Sequence, residues 1–131
     1  MIFEYDLSTQ QEYFYDITPQ IRQAIRNSEI SEGFAIISCP HTTSGITINE
    51  NSDPDVIHDI LLGLQKAFPD RKKYLHNEGN STAHLKASVM GSSVMVYIED
   101  GHPLLATWQS VYFCEFDPSQ RRTFYVNIIS D

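Results

Sequence analysis

Phe34-Ala35-Ile36-Ile37-Ser38-Cys39 is the stretch that decides the fold class, because it is a short apolar run that stops at Pro40. A run of this length, rich in isoleucine, predicts a buried strand. A second strand is predicted from Gly45 to Asn49, where isoleucines alternate with polar residues. Three more runs of the same kind end the chain, at residues 93–99, 107–116 and 123–129. The chain therefore has enough strands for an antiparallel sheet structure.

Helical patterns separate these strands. Asp16-Ile17-Thr18-Pro19 predicts a helix start with Thr18 as N-cap and the proline in the first helical position. Asp53-Pro54-Asp55 predicts the start of the longest helix, which ends before Pro69. Ser81 is the predicted N-cap of a short helix that runs to about residue 90. The whole pattern indicates an α+β fold.

Length and charge limit the classes of function. A chain of 131 residues predicts one domain, over residues 1–131. The formal net charge of -8 argues against a protein that coats nucleic acid or an anionic membrane, since phosphate neutralisation needs clustered Lys and Arg. Positive charge is local, at Arg71-Lys72-Lys73 and Arg121-Arg122, which suits a small phosphorylated metabolite.

The cysteines and the chain start point to a cytoplasmic protein. Cys39 and Cys114 lie in apolar, strand-like runs, where buried reduced thiols are the ordinary outcome. The first residues carry acids and no basic or apolar leader pattern, and no apolar run reaches the roughly 20 residues of a membrane span. We expect no membrane partner.

Two polar runs stand out as a candidate site. His41-Thr42-Thr43-Ser44 links the first two predicted strands, and the stretch from His76 to Lys86 includes His84 as well. Imidazoles from three separate segments would make a divalent metal site, zinc most simply, with one position open for water or substrate. The alternative is that His41, His76 and His84 are surface or hydrogen-bonded groups. His58 and His102 are predicted to face solvent.

Carboxylates accompany these runs. Glu50 and Glu78 each lie beside a candidate ligand and could act as a general base or orient a metal-bound histidine. Asp59 and Asp55 lie one turn apart on the long helix, where they could do the same; the alternative is that Asp55 caps the helix and Asp59 faces water.

Several other side chains could bind a substrate. Thr42 and Thr43 could hold a phosphate before Gly45 or form an ordinary turn. Trp108 could stack on a heteroaromatic ring or fill the core, which is the commoner fate. Alternation in the last strand puts Arg121 and Arg122 on opposite faces, so one can reach a phosphate while the other is solvated.

These motifs resemble the YjbQ-like family, whose members are also called secondary thiamine-phosphate synthases. The resemblance covers nearly the whole chain. It rests on His-Thr-Thr at residues 41–43, Asn-Glu-Asn-x-Asp-Pro at 49–54, Glu-Gly-Asn-x-x-Ala-His-x-Lys at 78–86 and Thr-Trp-Gln at 107–109. Ala106 and Ser110 replace glycines that flank the last motif in the family, and Asp100-Gly101-His102-Pro103 replaces a blander turn.

The resemblance implies a fold, a site and an activity. The fold would be an antiparallel two-sheet β-sandwich with flanking helices, assembled as a homotrimer with a histidine-rich pocket near the subunit boundaries. The activity would be the joining of a pyrimidine-methyl diphosphate to a thiazole phosphate, with release of pyrophosphate. The metal would be zinc at the three histidines, or magnesium with a diphosphate substrate. The implied site residues are Glu50, Glu78, Asp59 and Lys86 for catalysis and Asn49, Trp108, Gln109 and Arg121 for substrate binding. Thr42, Thr43 and Asn80 lie in the same polar runs and are also predicted to bind the substrate.

Two other functions stay open at this stage. One is a metal-dependent hydrolase or lyase that acts on another small phosphorylated metabolite. The other is a non-catalytic trimer that binds a metal or a metabolite. The first predicts a pocket that is open at the metal, and the second predicts a site filled by protein ligands, with no turnover.

Overall fold

The structure, a computed structural model, describes all 131 residues and has two antiparallel sheets and three helices. The larger sheet has the strand order β1-β8-β3-β5-β6, and the smaller sheet has the order β2-β7-β4. The predicted α+β class is confirmed. The elements are β1 (Ile2–Thr9), β2 (Tyr13–Asp16), α1 (Thr18–Ser28), β3 (Gly33–Ser38), β4 (Ser44–Glu50), α2 (Pro54–Ala67), α3 (Ser81–Met90), β5 (Ser93–Glu99), β6 (His102–Pro103), β7 (Gln109–Glu115) and β8 (Gln120–Ser130).

The main core lies between the two sheets and α1. Period-two alternation directs one face of each strand inward, as in β8, where Phe124, Val126 and Ile128 are buried. The smaller sheet contributes Ile46 and Phe113 to the same core. β3 and β4 therefore belong to different sheets, and the His41 segment between them crosses from one sheet to the other.

A second apolar cluster covers the other face of the smaller sheet. Phe14 and Tyr112 on this sheet meet Ile57 of α2 and Ala83 of α3. α2 is the less buried of the two helices: Ile57 is its only buried residue, whereas α3 has three. None of the helices has the length and apolar character to cross a membrane.

No helix covers the opposite face of the larger sheet. Met95 and Tyr97 are 54% and 61% exposed there, although both side chains are large and mainly apolar. Ile36 pairs with Met95, and Phe34 pairs with Tyr97, so the four side chains stand together on this face. We call the surface formed by Phe34, Ile36, Met95 and Tyr97 the outer sheet face.

The structure corrects some local predictions. β1 and β2 were not predicted, although β1 alternates half-buried Phe3, Tyr5 and Leu7 with exposed neighbours. Thr18 does not cap α1: the carboxylate of Asp16 accepts from the Thr18 N–H at 2.9 Å, while the Thr18 hydroxyl accepts from the N–H of Val111. Ser81 is likewise the first helical residue of α3 and not its cap. The caps of α2 are as predicted, with Asp53 accepting from the Asp55 N–H.

Candidate functional site

His76 and His84 are the two predicted metal ligands that the structure brings together. His76 begins a tight turn, in which the Gly79 N–H donates to the His76 carbonyl at 3.2 Å. His84 lies in the first turn of α3. The two ring centres are 5.3 Å apart, and the ring planes are nearly perpendicular, at 88°. The pair lines a cleft of about 440 Å³ with Tyr74, Ser81 and other residues of the two segments.

His41 has a different environment. Its Nε2 accepts a hydrogen bond from the Thr123 N–H at 2.9 Å, so a neutral ring carries its proton on Nδ1. Burial, and then the nearby Arg122 guanidinium, lower the pKa of His41 and favour the neutral form. Neither ring nitrogen then offers a free lone pair to a metal. Within one chain, no group of three or more His, Cys, Asp or Glu side chains is placed to hold a metal ion.

Arg122 and Glu115 form a buried ion pair beside His41. The guanidinium donates from Nε to Oε1 at 2.7 Å and from Nη2 to Oε2 at 2.6 Å. Arg122 also donates to the Thr43 hydroxyl at 2.8 Å, and the Thr9 hydroxyl donates to Glu115. Of the two adjacent arginines, Arg121 is the solvated one, with a side chain 82% exposed and 3.7 Å from Asp6. Arg122 was predicted to be either solvated or a phosphate ligand. It instead holds the His41 segment in place through its hydrogen bond to Thr43.

Lys86 lies on another side of α3 from His84. It is 5% exposed, and its ammonium donates to Glu12 Oε2 at 2.8 Å. This pair lines a cleft of about 780 Å³ between α2, α3 and the segment before β2, which also contains His58 and Asp55. The site expected from sequence is therefore divided in this chain, with the ammonium and the histidine pair in separate clefts.

The predicted carboxylates are dispersed. Glu50 ends β4 and accepts from the Ser52 hydroxyl at 3.0 Å, and its carbonyl accepts from the Tyr112 hydroxyl. Glu78 is exposed in the His76 turn, with its Oε2 3.5 Å from Asn80 Nδ2. Asp59 is solvated and contacts His58 at 3.0 Å. Among these carboxylates, Glu78 alone lies in the same turn as a histidine of the pair.

Asn80 connects the histidine segment to the end of β7. Its Nδ2 donates to Asp117 Oδ2 at 3.0 Å, while its Oδ1 is buried and has no hydrogen-bond partner. Asn49 uses its Oδ1 to accept from the Glu50 N–H at 2.7 Å. Thr42 is exposed, whereas Thr43 is buried against Arg122.

Trp108 is exposed and does not fill the core. Its side chain is 62% exposed, so the core role was the wrong alternative, and the indole ring is free to stack on a ligand. Gln109 Oε1 accepts from the Ala106 N–H at 2.9 Å, which closes the turn around the tryptophan. The Ser110 hydroxyl accepts from Asn51 Nδ2 at 2.9 Å. His102 is exposed, as predicted.

The cysteines have the predicted environment. Cys39 and Cys114 are both buried and free. Burial, with a smaller contribution from Cys39, raises the pKa of Cys114 well above its usual value, so this thiol stays protonated. We therefore assign the two thiols to packing and not to nucleophilic chemistry.

The chain is similar to a family of proteins without an assigned reaction. A family model described as "UPF0047 protein YjbQ-like" matches residues 3–131. UPF0047 protein MJ1081 of Methanocaldococcus jannaschii is 51% identical over 132 residues, which cover 100% of this chain and 96% of that protein. UPF0047 protein YugU of Bacillus subtilis is 43% identical, over 93% of each chain.

Solved structures agree with the fold. The crystal structure of an uncharacterised YjbQ/UPF0047 protein from Clostridium acetobutylicum has a TM-score of 0.94 and 52% identity, and covers 97% of this chain and 99% of that one. A YbjQ-like protein of unknown function from Sulfolobus solfataricus has a TM-score of 0.93 at 27% identity, over 100% of this chain and 97% of its own.

Proposed function

The chain belongs to the UPF0047 family of YjbQ-like proteins, and we propose that it is an enzyme that uses a divalent metal ion to act on a small phosphorylated metabolite. The observation that carries the proposal is the pairing of His76 with His84 in a cleft of about 440 Å³. Both side chains reach solvent, and neither imidazole takes part in a hydrogen bond with the protein.

The spacing of the two rings fits a shared metal ion. In a tetrahedral zinc site, each imidazole nitrogen lies about 2.0–2.1 Å from the ion. The centres of two imidazole rings bound to the same ion are then roughly 5 Å apart. The observed separation is 5.3 Å. Imidazole nitrogens favour zinc, whereas magnesium prefers oxygen ligands and would enter with a diphosphate substrate. Zinc is therefore the first metal to test.

Two histidines leave coordination positions to be filled by solvent, by the substrate or by a second copy of the chain. His41 does not join the pair while its Nε2 accepts from the Thr123 N–H. When bound, a divalent ion would neutralise the negative charge of a departing phosphate or pyrophosphate group. Glu78, in the same turn as His76, is exposed and is the nearest candidate in sequence for a general base or for orienting an imidazole.

Thiamine-phosphate synthesis is the first reaction to assay, because the exposed Trp108 can stack on a pyrimidine. Buried Lys86 would neutralise a phosphate by exchanging its Glu12 partner for the substrate. A bond would form between the pyrimidine methyl carbon and the thiazole nitrogen, and pyrophosphate would leave with the bonding electrons. In this chain Lys86 and the histidine pair line different clefts, so the proposed reaction requires a neighbouring copy of the chain to bring the two groups to one site.

We propose that the protein works in the cytoplasm as a homotrimer. The two buried free thiols suit a reducing compartment. The outer sheet face, with Met95 and Tyr97 more than half exposed, is an apolar surface that self-association would cover. A boundary between copies would also supply the ligands that one chain lacks.

A non-catalytic trimer that binds a metal or a metabolite is the second candidate. The observation that favours it is the presence of only two clustered histidines in one chain, since copies of the chain could then close the coordination sphere. A closed sphere leaves no position for a substrate. It also supports no turnover, whereas the enzyme requires an open position.

Metal analysis of protein purified without a chelator tests the proposal directly. We expect zinc bound in a fixed ratio to the chain, lost in His76→Ala and in His84→Ala and retained in the matched control His58→Ala, whose side chain is 72% exposed. Zinc-loaded protein is then assayed with the pyrimidine diphosphate and the thiazole phosphate. The enzyme proposal is supported if only His76→Ala and His84→Ala lose the metal and the zinc-loaded unmodified protein forms thiamine phosphate.

Other outcomes of the metal analysis and the assay would distinguish the remaining functions. If the protein binds metal and forms no thiamine phosphate, but releases phosphate from other phosphorylated metabolites, it is a hydrolase or a lyase. Metal without any turnover supports the binding protein. No metal in the unmodified protein, or equal loss in His58→Ala, overturns the role assigned to the histidine pair.

A further inference from the structure

A third cleft, of about 500 Å³, lies between α1 and the segment that leads into β7. Its volume is in the range of small-molecule sites. It shares no lining residue with the cleft of the histidine pair. Its polar lining residues include Arg22, Arg26, Asn51, Thr107, Gln109 and Ser110.

Two arginines of α1 give this cleft its charge. Arg22 and Arg26 are four residues apart, so their side chains leave the same face of the helix, about one turn apart. Both are exposed, and neither is among the ion pairs of the structure. The chain has 17 acidic and 9 basic side chains, so two neighbouring arginines without a carboxylate partner are not expected from composition.

The opposite wall adds neutral donors and is held in place by its own hydrogen bonds. Gln109 uses Oε1 to accept from the Ala106 N–H, which leaves the hydrogens of its Nε2 without a protein acceptor. Asn51 Nδ2 donates to the Gln109 carbonyl at 3.2 Å and to the Ser110 hydroxyl at 2.9 Å, and so fixes this wall. The lining also includes one carboxylate, Asp16, which accepts from the Thr18 N–H at the start of α1 and whose negative charge offsets part of the positive charge of the two arginines.

We propose that this cleft binds the phosphate group of a small phosphorylated ligand through Arg22 and Arg26, with Gln109 as a neutral donor. Guanidinium groups match phosphate oxygens with paired N–H donors, and two of them balance a dianion. The site is independent of metal binding at His76 and His84, so it does not rest on the function proposed above. The arginine pair was not recognised in the sequence, because its four-residue spacing does not look like a basic cluster.

Titration followed by amide NMR tests the site, with inorganic phosphate and pyrophosphate as probes and sodium chloride at equal ionic strength as reference. We expect saturable shifts in residues 22–26 and 105–110. Arg22→Gln and Arg26→Gln should each weaken binding by about tenfold, as expected for loss of one charge-assisted contact. Lys66→Gln is the control, because this exposed residue of α2 also carries one positive charge and lines none of the three clefts. His76→Ala should bind the probes normally.

Three results would overturn the site. If the amide chemical shifts rise linearly with probe concentration up to about 10 mM, the binding does not saturate, and the cleft does not bind phosphate specifically. Equal weakening by Lys66→Gln would show a general charge effect and not a site. A loss of probe binding in His76→Ala, with normal binding in Arg22→Gln, would move the phosphate to the histidine cleft.

Discussion

Arg122 and Glu115 form a bidentate ion pair inside the molecule, in which all four acceptor positions of the carboxylate are used. Oε1 accepts from Arg122 Nε and from the Thr9 hydroxyl, and Oε2 accepts from Arg122 Nη2 and from the Asp117 N–H. Glu115 is completely buried, and the Arg122 side chain is 7% exposed. The pair joins β7 to β8, which belong to different sheets.

Removing one member of this pair should be severe. Arg122→Met leaves a buried carboxylate without a counter-ion, and we expect a loss of about 3–5 kcal/mol in the free energy of unfolding, measured by urea denaturation. Arg121→Gln, at the exposed neighbouring position, should change it by no more than about 0.5 kcal/mol. The double variant Arg122→Met with Glu115→Leu should be more stable than Arg122→Met alone. Additive losses would contradict the coupling.

Two glycines should respond oppositely to alanine. A Cβ at Gly45 in β4 would lie 2.6 Å from the Gly91 carbonyl oxygen and 3.3 Å from Met90 Cβ, so Gly45→Ala should destabilise the protein by about 1–3 kcal/mol. A Cβ at Gly63 in α2 meets nothing within 4 Å, and Gly63→Ala should stabilise the helix by up to about 1 kcal/mol. Thermal unfolding of both variants checks the contrast; a neutral Gly45→Ala would mean that α3 can shift away from β4.

His41 should make stability fall in mild acid. Burial lowers its pKa in the folded protein, whereas in the unfolded chain it takes up a proton near pH 6.5. The unfolded state therefore binds more protons below about pH 6.5, and the free energy of unfolding decreases as pH falls through this region. His41→Gln keeps an acceptor for the Thr123 N–H and removes the titration. Urea denaturation at pH 7.5 and 5.5, with a chelator, should show a smaller loss in the variant; identical losses would refute this account.

The outer sheet face should mediate self-association. Replacing Met95 and Tyr97 together by Glu puts two like charges on a surface that we expect to be covered by another copy. Sedimentation should show a trimer for the unmodified protein and a monomer for this variant. Leu62→Glu, on α2 and also substantially exposed, is the control and should stay trimeric. A monomeric unmodified protein would refute the assembly.

The sequence by itself determined the class of the fold and most of its elements. Strands such as β8 alternate apolar and polar residues with a period of two, and Asp53 and Pro54 mark the start of α2. Such signals can be read from the sequence because they depend only on residues that are close together in the chain. β1 was not predicted although it carries the same alternation, because Glu4 and Asp6, which lie between the inward-facing Phe3, Tyr5 and Leu7, have low strand propensity.

Only the tertiary structure decided which polar residues meet. His84 and Lys86 are two positions apart on α3, but a helix turns by about 100° per residue, so the two side chains enter different clefts. Arg121 and Arg122 are adjacent in sequence, yet one is solvated and the other is buried against Glu115, because strand alternation gives each a different face and only the paired sheets show what lies there. Distances across the chain depend on packing, and packing is a property of all the elements together.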